Sequence, residues 1–251
     1  LDRMVRRRPF GTRATVEPKL GWFQARLELS DAGLKKMVLM QPQLLTKSVD
    51  SMESSLDWLQ RRLGLDDSGL KKVVLENPSL LAFSVEDNME PTLEWLQRRL
   101  GLDATQLRKM VLVKPQLLSL SIEDNMEPTL EWMRRRLDLD EAQLVKVFVV
   151  FPQLLGLSVE DNMAPKLEWL QTRLCLDEAG LRKIVLRLPP LLYLSVEANT
   201  APTLDWLQTR LDLDEAELRK MVVAHPPLLS LSIEDNMAPT LDWLQTRLDL
   251  D

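Results

Sequence analysis

The stretch Ser84–Leu120 reads SVEDNMEPTLEWLQRRLGLDATQLRKMVLVKPQLLSL, and the same pattern restarts at Ser121, Ser158, Ser195 and Ser232. All seven tryptophans keep the step: Trp22, Trp58, Trp95, Trp132, Trp169, Trp206 and Trp243 are spaced by 36 residues once and by 37 five times. Prolines preceding a Leu-Leu pair keep it independently, at Pro42, Pro78, Pro115, Pro152, Pro189 and Pro226. Two residue types on one period define an array of repeats. Each unit then contacts mainly its neighbours, and the product of such an array is an extended surface.

Each unit carries two helix signals and a stop. The first helix opens at Ser84, with Asp87 placed to complete a capping box. Met89, Leu93, Leu96 and Leu100 follow on one stripe. Pro91 lies inside this segment, so either the helix kinks there or its regular part starts near Asn88. Gly64 and Gly101 occupy the place of a left-handed C-cap, taken later by Asp138, Cys175, Asp212 and Asp249. The second helix opens at Asp103 with Gln106 at the matching capping position and buries Leu107, Met110 and Val111. Pro115 ends it, and the short stretch after it predicts a 3₁₀ turn burying the Leu pair. The expected fold is an all-α solenoid of ~37-residue repeats, each with two antiparallel helices and a short 3₁₀ helix. Trp95 points about 135° away from the leucine stripe on a helical wheel. Two readings compete there: a wedge against the next unit, or a ladder for stacking bases.

The composition bounds the function. Apolar runs never reach the roughly 18 residues of a membrane span. The chain carries a formal net charge of −6, which by itself argues against a nucleic-acid partner. Catalysis and metals find no support. The single His225 and single Cys175 supply neither a metal cluster nor a nucleophile–base pair, and there is no Gly-rich phosphate loop. A non-enzyme without cofactor is expected. Residues 1–17 read as a partial repeat or the end of a transit segment, given the basic Arg3, Arg6, Arg7, Arg8 and Arg13. Residues 18–251 read as the tandem repeats of a fragment that lacks a C-terminal cap.

The unit resembles the mTERF (mitochondrial transcription termination factor) family. The features that carry the resemblance are Pro-x-Leu-Leu after an amphipathic helix, the following Leu-Ser-Val/Ile-Glu-Asp-Asn-Met, and the Pro-x-Leu-x-Trp-Leu helix ending in Leu-x-Leu-Asp. The resemblance implies units stacked into a curved superhelix that binds organellar DNA or RNA along a basic face. It also implies a mitochondrial or plastid location and a role in transcription, its termination or initiation, or in RNA metabolism. Other proteins of organelle gene expression are further partners it suggests, and a monomer is expected. The chain departs from the family in its acidity and in the closeness of its units to one another.

Two cations recur in every complete unit. On the second helix they are Lys36, Lys72, Lys109, Lys146, Lys183 and Lys220, opposite the apolar stripe. Late on the first helix they are Arg62, Arg99, Arg136, Arg173, Arg210 and Arg247. Stacked units would convert both into basic rows suited to a phosphate backbone. The competing structural reading makes the arginines helix caps or local partners of tryptophan. The balance of charge shifts along the array: Ser84–Leu120 holds five acids and five bases, Ser195–Leu231 six acids and three bases. The N-terminal half is therefore expected to bind nucleic acid more strongly. The rival function is a protein-binding solenoid scaffold, favoured if acids interleave with the lysine row.

Overall fold

The structure, a computed structural model, describes residues 12–249, so Arg3, Arg6, Arg7 and Arg8 lie outside the described residues. The described residues form thirteen α-helices and no strand. The first helices of the repeats are α1 (Arg13–Arg26), α3 (Val49–Leu63), α5 (Glu90–Leu100), α7 (Glu127–Leu137), α9 (Ala164–Arg173), α11 (Ala201–Arg210) and α13 (Ala238–Leu248). The second helices are α2 (Asp31–Met40), α4 (Asp67–Glu76), α6 (Ala104–Val113), α8 (Glu141–Val150), α10 (Glu178–Arg187) and α12 (Glu215–Ala224). Among the described residues the first helix starts at Arg13. The chain forms two compact units, one ending at Asp124 and one starting at Asn125.

A 3₁₀ helix follows each second helix, for example Pro115–Ser119 and Pro152–Gly156. The missing proline N–H stops the α-helix, and the tight turn drives the leucine pair inward. Leu117, Leu118, Leu154 and Leu155 are all buried, each side chain contributing roughly 1.5–3 kcal/mol of apolar burial.

The first helices carry a feature that the sequence poses as a choice between a kink and a late start. In five repeats the α-helix is preceded by a π turn: Val85–Met89, Ile122–Met126, Val159–Met163, Val196–Thr200 and Ile233–Met237. The Met89 amide bonds the Ser84 carbonyl five residues back, at 3.3 Å. In α3 the Met52 amide bonds the Ser48 carbonyl four residues back, also at 3.3 Å, and the helix is α throughout. A π turn is an α-helix with one extra residue. Ser48 to Trp58 is one residue shorter than Ser84 to Trp95, which is the same difference that makes one tryptophan step 36 rather than 37. The extra residue is absorbed before the core, so Met52 and Met89 are equally and fully buried. Proline is not the cause, since Pro18 lies inside the α-helical α1.

The caps divide the two helix types. At second helices the box is complete where the third residue is Gln106, Gln143 or Glu217. At first helices Ser84, Ser158 and Ser232 accept the expected amide bond from Asp87, Asp161 and Asp235. The reciprocal bond expected from the aspartate is replaced. Asp161 and Asp235 accept the hydroxyl of their own serine instead, at 2.9 Å. Aspartate is one methylene shorter than the glutamate that completes a box. Every first helix whose following residue is described is closed by a left-handed residue: Gly64 and Gly101, but also Glu28, Asp138, Cys175, Asp212 and Asp249.

Within each unit, second helices lie against second helices: α4 packs on α2 and α6, and α10 on α8 and α12. First helices reach the second helix of the following repeat, α3 on α6 and α7 on α10. The tryptophans sit on that seam. Trp22 donates its indole N–H to Glu53 of the next repeat at 3.0 Å. Trp206 walls an apolar groove with Leu228 and Leu231 of its own repeat and with Leu241 of the repeat that follows it. Trp243 stands 61% exposed, whereas the other tryptophans are half-buried. The wedge reading accounts for all three observations.

Candidate nucleic-acid interface

The lysine row is carried by a single face of the second helices. The core stripe of α6, Leu107, Met110 and Val111, is buried, and Lys109 projects from the opposite side. Its counterparts Lys36, Lys72, Lys146, Lys183 and Lys220 do the same, and all six are exposed. None of the six makes a hydrogen bond or ion pair among the described residues. One turn earlier on each helix stand Ala32, Ser68, Thr105, Ala142, Ala179 and Ala216, small and uncharged. One turn later stand Met40, Glu76, Val113, Val150, Arg187 and Ala224, a lane in which Glu76 is the sole acid. Carboxylates at Asp31, Asp67, Glu141, Glu178 and Glu215 are confined to the helix starts, where the helix dipole favours them. Most acids beside the row therefore sit at the helix starts, with Glu76 one turn after Lys72 and Glu217 nearly one turn before Lys220. Each unit holds three of these lysines, Lys36, Lys72 and Lys109 in one and Lys146, Lys183 and Lys220 in the other.

The arginine row is spent on holding repeats together. Arg62 bonds Glu90 at 2.8 Å and Gln97 at 3.4 Å, both in the next repeat. Arg136 bonds Gln171 at 2.7 Å and pairs with Glu178. Arg173 reaches Asp205 at 3.0 Å and Gln208 at 2.8 Å, and Arg210 reaches Asp242 at 2.7 Å along with Gln245. Arg26, one repeat ahead of Arg62, makes the same link to Glu53 and Asp57 at 2.6 and 3.1 Å. These side chains keep only 22% to 33% of their surface. Arg99 is not free either, and Arg247 is exposed. The hydrogen bond that Arg26 donates to Glu53 holds its guanidinium above its ordinary pKa, against the opposing effect of burial. The Gln171 hydrogen bond, then the Arg136 one, holds the Glu178 carboxyl below the usual carboxylate range.

A further cation, just before Lys72, Lys109, Lys183 and Lys220, has a role that the pattern of the sequence does not reveal. Lys71, Arg108, Arg182 and Arg219 donate to the backbone carbonyls of Glu28, Gly64, Asp138 and Cys175 in the preceding repeat. Those are the left-handed residues closing the first helices, where the dipole is negative and a cation is favoured. The partners of the arginine row also escape the sequence pattern as read above, although a signal for them exists. Gln60, Gln97, Gln171, Gln208 and Gln245 recur two residues before Arg62, Arg99, Arg173, Arg210 and Arg247, on the same period as the tryptophans, with Arg134 in that place before Arg136.

The comparison with known families bears on the whole array. The family described as mTERF matches residues 11–250. The chain belongs to the mTERF family. No curated protein matches the chain. Along the mTERF array, the two recurrent rows of like charge have different fates: the arginines knit successive repeats, and the lysines stand unpaired on the outer face of the second helices. A second arginine, one residue before that of the arginine row, marks only the earlier repeats. Arg98 and Arg135 are 78% and 74% exposed and touch only the acid one turn back, and Thr172, Thr209 and Thr246 replace them later. Such exposed pairs hold their arginines by no more than about 1 kcal/mol.

Proposed function

We propose that this mTERF protein binds nucleic acid through the row Lys36, Lys72, Lys109, Lys146, Lys183 and Lys220, and that it acts in organellar gene expression. The observation that carries the reading is that this one recurrent cation is exposed and unpaired in every repeat that has it. Contacts of an unpaired ammonium row are contacts to phosphates, which position a strand without reading its sequence. The acidic total opposes this less than its size implies, because many of the carboxylates lie at helix starts or in inter-repeat pairs. Arg62, Arg99, Arg136, Arg173 and Arg210 serve the architecture in this account. The mitochondrion or the plastid is the proposed location, with regulation of transcription, including termination or initiation, or of RNA metabolism as the role.

A second reading rests on one observation. Leu39, Met40, Val113 and Val150, beside the lysines, are 42% to 53% exposed, an apolar lane that a protein partner could cover. Binding to labelled duplex DNA, single-stranded DNA and RNA, titrated from low to physiological salt, separates the two. The proposal expects binding whose affinity falls linearly with salt on a log–log plot. No binding to any of the three at low salt would leave the scaffold reading in possession.

A further inference from the structure

Far from the lysine row, on the side of the first-helix starts, the junction between consecutive repeats opens into a cleft. One is lined by Asp87, Asn88, Thr92, Leu118, Leu120 and Glu123, with a volume of about 370 Å³. Another is lined by the corresponding Asn199, Thr203, Leu229, Leu231 and Glu234, with a volume of about 380 Å³. The Thr92 cleft lies wholly in the unit ending at Asp124, the Thr203 cleft wholly in the other.

The chain itself shows what such a cleft accepts. The slot of Thr92 and Thr203 is filled by lysine in two repeats, Lys19 and Lys166. The Lys19 ammonium donates to the carbonyls of Leu45 and Lys47, at 2.7 and 2.6 Å, where the 3₁₀ helix of its own repeat ends. The Lys166 ammonium donates to the equivalent carbonyl of Leu192 at 2.9 Å, in a cleft that also holds Asp161 and Glu197. Burial holds Lys166 below its ordinary pKa, with the Glu197 charge opposing.

At the threonine repeats the same acceptors are left without a cation. No side chain donates to the carbonyls of Leu118 and Leu120, or of Leu229 and Leu231, among the described residues. Thr92 and Thr203 are 5% and 4% exposed, and their hydroxyls, bordering the clefts, make no hydrogen bond. The hydroxyl of a buried threonine, open to the cleft, together with chain carbonyls and a carboxylate bordering the same cleft, forms an acceptor set for a donor with several N–H groups.

We propose that the clefts at Thr92 and Thr203 each bind a primary alkylammonium group, the chemistry shared by a polyamine and by the lysine side chain of a basic peptide. The Thr92 cleft, with carboxylates at Asp87 and Glu123, is the tighter. The Thr203 cleft has Ala198 where Asp87 stands and keeps only Glu234.

The test follows the backbone amides of Leu120, Leu231 and Leu194 by NMR during titration with butylammonium, spermidine and a blocked peptide carrying one lysine. Butylammonium should shift Leu120 at the lowest concentration, Leu231 next and Leu194 not at all, because Lys166 occupies that cleft. Thr92→Lys, which repeats what Lys19 and Lys166 already do, should weaken the response at Leu120 by roughly tenfold or more, the effect of a displaced charge-assisted hydrogen bond. Its response at Leu231 should be unchanged. Lys166→Thr should create a response at Leu194. Saturation by spermidine below butylammonium, with a silent peptide, identifies a polyamine site. The reverse order, abolished by acetylating the peptide lysine, identifies a peptide site. Butylammonium that shifts none of these amides, or shifts Leu120 equally in Thr92→Lys, overturns the proposal.

Discussion

The arginine and lysine rows have the same charge, the same period and neighbouring helices, yet they do opposite things. Arg173 lies late on a first helix, beside the next repeat, and finds Asp205 and Gln208 within hydrogen-bond distance. Lys183 lies on the outer face of a second helix, and nothing in its own or the adjoining repeat reaches it. Recurrence alone therefore does not mark a binding residue. A repeated cation is available to a ligand only if the seam between repeats has not already taken it. The guanidinium suits the seam because its fork serves a carboxylate and an amide together. A lysine ammonium on an exposed face is a strongly hydrated point charge, available to phosphates.

The largest test of this contrast removes the framework on which the arginines sit. Trp132→Ala is expected to destabilise the protein by roughly 3 kcal/mol, near the low end for a truncated core aromatic because the ring is half-buried. Denaturant unfolding gives the value. Unchanged stability with abolished nucleic-acid binding would instead make the tryptophans a stacking ladder.

Next in size is the arginine link itself. Arg173→Ala should cost about 1–2 kcal/mol, since it leaves Gln208 and Asp205 without their donor, discounted for the solvent that still reaches the acid. A cost below the error of the unfolding measurement would remove the seam role.

A smaller effect comes from pH. The Glu178 carboxyl is held below its unfolded value, so its stabilising pair with Arg136 is fully present above the unfolded pKa of about 4.3 and disappears as pH falls through the folded value. Arg136→Met should therefore destabilise more at pH 7 than at pH 3, the remainder at pH 3 being the Gln171 hydrogen bond. Equal destabilisation at both pH values would show that the carboxylate is not the partner that matters.

The smallest expected change is in the lysine row. Replacing Lys72, Lys109 and Lys146 together by Gln should alter unfolding stability by no more than about 0.5 kcal/mol per site, as for surface positions without partners. A larger effect would mean that the row is structural after all.

Much of this is legible in the sequence because it is local. The tryptophan period, the apolar stripes, the serine and aspartate caps and the leucine pair after Pro115 depend only on residues near in sequence, and all appear where the pattern puts them. The π turn is half-legible. The single 36-residue step registers the missing residue, but spacing does not say whether an added residue loops out or widens a helix turn. The fate of the arginines is hidden for a different reason. A helical wheel gives the side of Arg173 and cannot give the side chain of the next repeat that faces it. The same limit hides Arg108 at the carbonyl of Gly64 and Lys166 at that of Leu192, both set by the stacking of repeats.

The division between the two rows stands most directly on a salt titration of nucleic-acid binding that compares them in one protein. For Lys72→Gln, Lys109→Gln and Lys146→Gln combined, the log–log salt slope on duplex DNA should fall in magnitude by about 0.9 for each phosphate no longer neutralised, or about 0.7 on a single strand. Affinity should drop across all ligand sequences, and more than in the Lys183→Gln, Lys220→Gln variant, which removes two cations of the row rather than three. Arg62→Gln, checked to be folded, should leave the slope in place. A lysine variant with the wild-type slope, or an arginine variant with a reduced one, would contradict the division of labour between the rows.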